Sequence, residues 1–497
     1  MERRDRAGGE EAEMDSLEVH DNVLVSRYAS REMAELWSPR RKFSTWRRLW
    51  LALAEAEAEL GLPAEGGSGA RITTAQLDEL RAHLDDIDFA AADRYERQLR
   101  HDVMAHIHAF GDVAPAARGI IHLGATSCYV TDNTDLLLMR QGLGMLRDRL
   151  VGVLDALARF ARRWRDLPTM GFTHFQPAQL TTVGKRACLW AHDLLLDLHE
   201  IEHRLDTLRF RGAKGTTGTQ ASFLALFRGD HDKVKQLDRL VARKMGFDKV
   251  YPVTGQTYTR RVDSQILDTL SGVGQSIHKL GTDLRLLAHR QEIDEPTEPG
   301  QVGSSAMPYK RNPMRSERMC GLARYLTSLP TSAAHTAATQ WLERTLDDSV
   351  NRRLILPQAF LTADAMLRVA LNVAGGLEVF PAVIARNVQE VLPYMATENL
   401  LMAAVAGGAD RQEAHEVIRK HSRAVTAATR AGAVTTDLLG LLRTDPLFAR
   451  VDFSAALDPR QFVGRAPEQV DEFLADEVDP VLARYAHLRG QAAEIER

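Results

Sequence analysis

The sequence predicts an all-α protein with three helical domains, the central one built from very long helices. Aromatic residues make up only 6% of the 497 residues, while Leu and Ala are abundant, which favours helices over sheet sandwiches. Apolar residues recur every three or four positions along three long stretches, as on a helix that buries one face. The chain is also too long for one compact core, which predicts several domains.

The composition excludes several classes of protein. A net charge of -4 gives no bulk attraction to nucleic acid, so an anionic substrate needs a local cluster of cations. The three cysteines, Cys128, Cys188 and Cys320, are far apart and include no CxxC pair. This spacing argues against a disulfide framework and against a zinc site, and it favours a reducing compartment. We therefore expect a cytoplasmic protein that holds no metal.

The N-terminal part is expected to contain a disordered tail and a helical domain. Residues 1–18 mix acids and bases with Gly and lack the apolar stretch of a signal peptide. The first domain covers 19–126 and carries a Gly-rich surface insertion at 65–70. No apolar run in the chain approaches the roughly 20 residues of a membrane span. The helices predicted for this domain lie at 44–60, 74–85 and 89–110.

The central domain, 127–379, is predicted around three long helices. The first runs from about Asp132, with Asp132 or Thr131 as its cap, to Asp166. Gly171–Gln179 is loop-like and separates it from the second. The apolar seams are Leu143, Leu146, Leu150, Leu154, Leu157, Ala161 and Trp164, then Trp190, Leu194, Leu198, Ile201, Leu205 and Leu208, then Val262 to Leu287. Further helices are predicted at 312–338 and 353–374.

Helices of this length need partners of similar length to bury their seams, and one chain offers few. We infer a bundle that other subunits complete, with a long single-chain bundle as the alternative. Shorter helices follow from about Pro381, which indicates a C-terminal domain at 380–497. Its first helices are predicted at 386–394, 398–407 and 411–432.

The loop at 294–314 interrupts the helical pattern and carries several polar and charged side chains. Its second half, Gly303 to Met314, reads GSSAMPYKRNPM and combines two serines, two cations, an amide and two prolines. Such a composition cannot continue a helix and is typical of a mobile functional loop on a rigid scaffold. We expect the loop to be ordered only when substrate anions meet Lys310.

Other interruptions of the helical pattern, which also contain polar residues, lie beside the long helices. His101, Thr126 with Ser127, and His174 each occur where a helix begins or ends, and loops that meet at helix ends suit acid–base chemistry. His101, His108 and His122 invite a metal site, but their spacing does not match HExxH. The chain contains no GxSxG elbow, Walker A sequence or dinucleotide fingerprint.

Several motifs together resemble a known family. Residues 303–314 closely resemble the signature GSSxMPxKxNP of the fumarase/aspartase superfamily. The continuation Arg315-Ser316-Glu317, with the segments 100–103, 123–127 and 173–179, resembles the adenylosuccinate lyase branch of animal type. The resemblance runs from Ser26 to about Val425. Within the superfamily, argininosuccinate lyase and fumarase are the alternatives, and a non-catalytic scaffold is another class.

The resemblance implies a β-elimination that releases fumarate. The implied substrates are adenylosuccinate, which gives AMP, and SAICAR, which gives AICAR in purine nucleotide biosynthesis. In this family Ser304 corresponds to the general base and His174 to the general acid. Lys310 and Asn312 correspond to residues that stabilise the developing carboxylate charge, and Glu317 corresponds to the partner of His174. No cofactor is implied.

The resemblance also implies substrate contacts and an assembly. His101 either binds phosphate or supports acid catalysis, and a packing histidine is the alternative. Arg344 and Arg353 are implied ligands of the substrate, with surface solubilisation as the alternative. The implied site is shared among three subunits of a homotetramer, with neither nucleic acid nor membrane as a partner. The implied substrate contacts are Arg27, Tyr28, Arg100, His101, Asp102, Thr126, Ser127, Gln256, Arg318, Arg344, Ser349 and Arg353.

Overall fold

The computed structural model is dominated by α-helices, which confirms the all-α prediction. Strands are confined, in the part of the chain that is described, to two short antiparallel pairs. The predicted tail 1–18, nearly all of the insertion 65–70, and Ser304 lie outside the described residues. The structure describes residues 20–64, 70–298, 300–303, 305–433 and 437–493.

The N-terminal helices follow a short π-helical turn, Leu24–Tyr28. They are α1 (Arg31–Leu36), α2 (Pro39–Glu59), α3 (Thr74–Ala82), α4 (Phe89–Leu99) and α5 (Asp102–Val113), and a 3-10 turn spans Arg118–Ile120. The single helix predicted at 89–110 is wrong, because Arg100 adopts a left-handed φ of 54° and ends α4. His101 then caps α5, and its Nδ1 accepts a hydrogen bond from the Met104 amide at 3.3 Å.

Four long helices form the central bundle: α6 (Ser127–Arg163), α7 (Val183–Thr207), α10 (Arg261–His289) and α13 (Asp347–Gly376). The helix α6 begins five residues before the predicted start, since Ser127 is its first residue. Asp132 does not cap it but is buried and paired with Arg260 at 3.1 Å. The shorter central helices are α8 (Ala221–Leu226), α9 (His231–Lys244), α11 (Met314–Ser328) and α12 (Pro330–Ala338). Pro330 divides the helix predicted at 312–338.

The predicted apolar seams form the core of this bundle. Leu143, Leu146, Leu150, Leu154 and Leu157 of α6 are all fully buried. The helix α6 packs against α7 and α13, and α10 packs against α11. Burial of a continuous leucine seam on each long helix therefore holds the bundle together.

The helix α13 is long and apolar enough to cross a membrane by length and composition, which the sequence analysis did not anticipate. Most of its apolar stretch, 78%, is buried inside the fold. It also carries Asp348, Arg352 and Asp364, which are buried and ion-paired. These features identify α13 as a core helix of the bundle.

The helices α10 and α13 run side by side in the same direction. Arg260, just before α10, pairs with Asp348 at the start of α13 at 2.6 Å. After the two helices end, β3 (Ile293–Asp294) pairs with β4 (Glu378–Val379). With 29 residues, α10 spans about 40 Å at 1.5 Å per residue, so the bundle has two well-separated ends. We call these the start end and the hairpin end.

The hairpin end carries a β-hairpin where the sequence analysis predicted a loop at 171–179. The strands β1 (Pro168–Thr173) and β2 (Gln176–Thr182) pair antiparallel. His174 and Phe175 form its two-residue turn with φ values of 52° and 55°, as a type I′ hairpin turn requires. The Phe172 ring lies 4.9 Å from the guanidinium of Arg290, which directly follows α10.

The C-terminal part contains a second core. Residues between Ala396 and Ala456 form a hydrophobic cluster separate from that of the bundle, whereas Val470, Leu474 and Leu482 join the bundle core. The division into three domains stays a prediction. The helices are α14 (Pro381–Gln389), α15 (Leu392–Met395), α16 (Thr397–Ala406), α17 (Arg411–Arg430), α18 (Leu438–Arg443), α19 (Phe453–Ala456), α20 (Ala466–Phe473) and α21 (Asp479–Arg484). Short 3-10 or π turns lie at Pro446–Phe448, Pro459–Phe462, Leu474–Val478 and Ala486–Leu488.

Two neighbouring leucines of α18 test this second core. Leu442 is fully buried in it, while Leu441 is 40% exposed. We expect Leu442→Ala to lower the free energy of unfolding by about 2 to 5 kcal/mol, because it removes packed methyl groups and leaves a cavity. Leu441→Ala is the matched control and should cost less than about 1 kcal/mol. Calorimetric melting measures both, and equal effects would contradict the described packing.

Candidate active site

Several of the predicted substrate contacts meet at the start end of the bundle. His101 and Ser127 lie at the starts of α5 and α6, with 3.4 Å between His101 Nε2 and Ser127 Oγ. Asp102 follows His101, and its Oδ2 accepts a hydrogen bond from Arg353 Nη2 at 2.5 Å. Burial opposes ionisation of Asp102, but the hydrogen bond and charge of Arg353 hold the pKa of that carboxyl below its usual range. The pair is therefore ionised at neutral pH.

A second set of contacts at this end involves Gln256. Its Nε2 donates to Thr126 Oγ1 at 3.4 Å, and its Oε1 accepts from Arg344 Nη1 at 2.9 Å. Arg344 also donates to the sulfur of Cys128, which is fully buried. Arg344 is thus held in place by the protein and is not a freely moving surface cation.

A buried charge network lies beneath these contacts. Arg260 pairs with Asp132 at 3.1 Å and with Asp348 at 2.6 Å, and Arg352 pairs with Asp135. Burial opposes ionisation of Asp132, yet Arg260 and Arg352 keep its pKa below its usual range. Sequence reasoning missed this network. Asp132 of α6 was an available signal, but Asp132 or Thr131 was interpreted as a helix cap.

The nearby histidines other than His101 have packing partners. His106 stacks on Phe43 with ring centroids 3.7 Å apart, and burial lowers the pKa of His106 to about 4. The Nδ1 of His122 accepts from Trp50 Nε1 at 2.8 Å, and burial lowers the pKa of His122 to about 4. Among the described residues, no three His, Cys, Asp or Glu side chains are grouped as a metal site requires.

The signature loop lies at the hairpin end. Asn312 Nδ2 donates to the Gly303 carbonyl at 2.8 Å, which ties the two halves of the loop together. A Cβ at Gly303 would stand 2.5 Å from the Lys310 carbonyl, so the close approach requires glycine. Lys310 is exposed. The position predicted for the base, Ser304, is outside the described residues, and its role stays a prediction.

Glu295 anchors this loop and was missed by sequence reasoning. Its carboxylate accepts from the amides of Arg315 at 2.9 Å and Ser316 at 2.8 Å, and from Ser316 Oγ at 2.9 Å. A carboxylate at the N-terminus of α11 satisfies amides that have no partner within the helix. An acid in a proline-rich loop before a helix was the available signal.

His174 and Glu317 are both exposed near the hairpin end, at the turn of the hairpin and in the first turn of α11. Neither side chain has a hydrogen bond or an ion pair with any residue in the described ranges. The structure of one chain therefore does not join the predicted pair, and the pairing stays a prediction.

A third group of predicted contacts lines a cleft of about 810 Å³. Arg27 and Tyr28 come from the N-terminal π-helical turn and Arg318 from α11; the Arg318 guanidinium lies 5.6 Å from the Tyr28 ring centroid. Arg368 of α13 donates to the Tyr28 carbonyl at 3.1 Å. Arg100 stands outside these groups and is exposed at the end of α4, whereas Ser349 lines a cavity beside Arg353 of the start end.

The predicted site residues therefore form groups at opposite ends of the bundle within one chain. Gln256 and Arg344 lie beside the start of α10, whereas the His174 hairpin and the signature loop lie beyond its end. A helix of about 40 Å separates them. One chain alone does not bring the predicted acid to the predicted substrate contacts of the start end.

Comparison with known proteins identifies the family. A family model described as "Lyase" matches residues 28–326, and one described as "Adenylosuccinate lyase C-terminus" matches residues 393–473. Adenylosuccinate lyase of Saccharomyces cerevisiae is 51% identical over 94% of this chain and 97% of its own. The protein of that name from Schistosoma mansoni is 47% identical over 95% of this chain and 98% of its own.

The chain belongs to the adenylosuccinate lyase family.

The predicted family is thus confirmed, and similarity to solved structures supports the fold. The 3-carboxy-cis,cis-muconate lactonizing enzyme of Pseudomonas putida has a TM-score of 0.79 at 23% identity, covering 93% of this chain and 99% of that one. A fumarate lyase from Mesorhizobium has a TM-score of 0.75 at 24% identity, covering 92% and 100%. At these identities the likeness concerns the fold alone.

The thiol of Cys128 reports on the integrity of the start-end contacts. Burial raises the pKa of Cys128 to about 11 from an ordinary value of 9.0. At pH 8 the fraction of Cys128 present as thiolate should therefore be about a hundredfold lower in the folded than in the unfolded protein. Alkylation of Cys128 should be slower by at least the same factor. Mass spectrometry of the Cys128 peptide after timed iodoacetamide labelling measures this, with urea-unfolded protein as the control. Labelling at the unfolded rate in the folded protein would contradict the described burial.

Proposed function

We propose that this protein is an adenylosuccinate lyase that releases fumarate from adenylosuccinate to give AMP, and from SAICAR to give AICAR, in purine nucleotide biosynthesis. The observation that carries the proposal is the identity of 47 to 51% to proteins of that name over almost the whole chain. The signature loop 303–314 and the cationic start-end cluster support it. We also propose a cytoplasmic location, which three free, buried cysteines support.

In the proposed reaction Ser304 removes a proton from the carbon beside a carboxylate of the succinyl group. The electron pair left on that carbon is delocalised into the carboxylate and then forms the double bond of fumarate as the C–N bond breaks. A serine hydroxyl is a weak base, so it requires activation by nearby positive charge. Lys310 and the amide of Asn312 are proposed to stabilise the developing charge, since fixed cations and amides act strongly in a water-poor site.

The departing nitrogen needs a proton, and His174 is the proposed donor. Its exposed position at the turn of a rigid hairpin suits a side chain that acts outside its own chain's core. Glu317 is proposed to orient the ring and to raise its basicity. His101 is proposed to support this step or to bind phosphate, which its contact with Ser127 favours.

The nucleotide is proposed to bind through the remaining predicted residues. Arg344 and Arg353 supply cations at the start end, where Gln256 and Asp102 hold their guanidinium groups in position. Arginine suits this role because its planar fork binds phosphate and carboxylate with two hydrogen bonds. The other proposed contacts are Arg27, Tyr28, Arg100, His101, Asp102, Thr126, Ser127, Ser349 and Arg318.

We propose a homotetramer whose active sites combine residues of different subunits. The separation of about 40 Å between the start end and the His174 hairpin supports this, because a substrate at Arg344 requires an acid from another chain. Apolar side chains exposed on the long helices also support it, since such surfaces favour association. They include Leu189 and Leu196 of α7 and Val350 and Leu354 of α13.

The direct test of the function is an assay with purified protein. We expect adenylosuccinate to be converted to equal amounts of AMP and fumarate, followed by ultraviolet absorbance and chromatography. SAICAR should likewise give AICAR and fumarate. A folded protein that leaves adenylosuccinate intact would refute the proposal, and turnover of argininosuccinate or malate instead would assign it to another branch of the superfamily.

The proposed acid and base are tested by substitution. We expect His174→Ala and Ser304→Ala each to lower kcat at least about a hundredfold, since a positioned acid or base contributes roughly that much or more. Melting temperature and tetramer mass should stay as in the parent. The matched controls are His415→Ala, an exposed histidine of α17, and Ser305→Ala, and both should keep parental activity.

Mixing the two inactive variants tests the shared site. If acid and base come from different chains, hybrid tetramers contain some sites with both residues intact, and activity should return in part. Co-refolding at equal amounts followed by the fumarate assay measures this. A hybrid as inactive as its parents would contradict a site shared in this way.

A further inference from the structure

A cavity of about 280 Å³ lies beside the start-end cluster, where α2, α6 and α13 meet. Its polar lining comes from Lys42 of α2, from α6, and from the first two turns of α13. Trp37 and Phe43 contribute an apolar wall. The polar lining residues are Lys42, Thr131, Asp135, Ser349, Arg352 and Arg353.

The lining carries more positive than negative charge. Arg352 is compensated by Asp135, and Arg353 is compensated by Asp102. Lys42 has neither an ion pair nor a hydrogen bond with any residue in the part of the chain that the structure describes. One cation in excess therefore remains in a site from which water is partly excluded.

The surroundings of Lys42 increase the cost of this excess charge. Its ammonium lies 5.1 Å from the ring centroids of Phe43 and of Trp46, and their cation–π attraction replaces water only weakly. Burial and then repulsion from Arg353 lower the pKa of Lys42, and the attraction of Asp135 and Asp102 offsets this only in part. An anion in the cavity would relieve both effects, so the cavity is complementary to a negatively charged group.

The chemistry of the lining favours a phosphate monoester. The hydroxyls of Thr131 and Ser349 can donate to phosphate oxygens, Lys42 supplies the one uncompensated positive charge, and the guanidinium of Arg353 can donate further hydrogen bonds. Ser349 lies in the first turn of α13, and the N-terminus of a 30-residue helix attracts anions. Arg353 also joins the cavity to Asp102 and so to the rest of the start-end cluster.

We infer that Lys42 is a further substrate-binding residue, which contacts the phosphate of the bound nucleotide together with Ser349 and Arg353. This inference rests on the proposed function, because it takes the nucleotide substrates of that reaction as the ligands. It adds a cation from α2, an element to which the sequence analysis assigned no part of the site.

The test compares ligands with and without the phosphate. AMP and adenosine are titrated calorimetrically into the full-length assembled protein, its Lys42→Met variant and its Lys42→Arg variant. Lys42→Met should weaken AMP binding roughly ten- to a hundredfold, as loss of a charge-assisted hydrogen bond implies. Adenosine binding should change less than about threefold, and Lys42→Arg should restore most of the affinity for AMP.

Kinetics provide the second measurement. With adenylosuccinate, Lys42→Met should raise KM by a similar factor while kcat changes less than about threefold, since the phosphate is remote from the reacting carbon. The control is Lys420→Met, which removes an exposed lysine of α17 and should leave both ligands and KM unchanged. If Lys42→Met fails to assemble, Lys42→Gln replaces it in both measurements.

Three outcomes would overturn the inference: unchanged AMP binding, equal weakening of AMP and adenosine, or a loss of affinity that Lys42→Arg does not recover. The last two would indicate that Lys42 only stabilises the fold around Asp135. Binding of AMP requires no turnover. A protein that binds AMP through Lys42 but does not cleave adenylosuccinate would refute the proposed function and leave the phosphate contact established.

Discussion

The ion pairs of Arg260 with Asp132 and Asp348 are the constraint on which the start end of the bundle depends. They join α6, the residue before α10, and α13, with both acids completely buried and Arg260 only 2% exposed. Buried charges are tolerated only when paired, so each of these three segments fixes the position of the other two. Arg344 and Arg353 lie on either side of Asp348, and Gln256 lies just before Arg260. The network thus determines where the predicted substrate contacts of the start end stand.

The second organising feature is the length of the helices. Because α10 and α13 run in the same direction over about 40 Å, a chain carries Arg344 and Arg353, which are predicted to bind substrate, at one end and its predicted acid and signature loop at the other. A long rigid helix cannot bend back to bring these two groups of residues together. An assembly that places the hairpin end of one subunit beside the start end of another is the arrangement that would complete the chemistry. The same length that stabilises the bundle therefore makes association a requirement of the proposed reaction.

Much of the fold followed from local patterns. The spacing of Leu143, Leu150 and Leu157 predicted a buried seam, and the structure confirms it, because a 3.6-residue period places these side chains on one face. Errors arose at element boundaries. The left-handed backbone at Arg100 has no marked signature, and the hairpin at His174 has a turn of His and Phe in place of the usual Asn-Gly. Asp132 resembles a helix cap in sequence, and only a distant arginine makes it a buried ion pair.

The sequence by itself determined the all-α class, the long helices and the family. It could do so because periodicity and contiguous motifs are local properties of the chain. Tertiary structure alone decided which cations are available to a ligand. Arg352 and Arg353 are neighbours in sequence, yet one is buried against Asp135 and the other joins Asp102 beside a cavity that also contains Lys42. Electrostatic compensation depends on distances across helices that are far apart in sequence, and no local pattern encodes it.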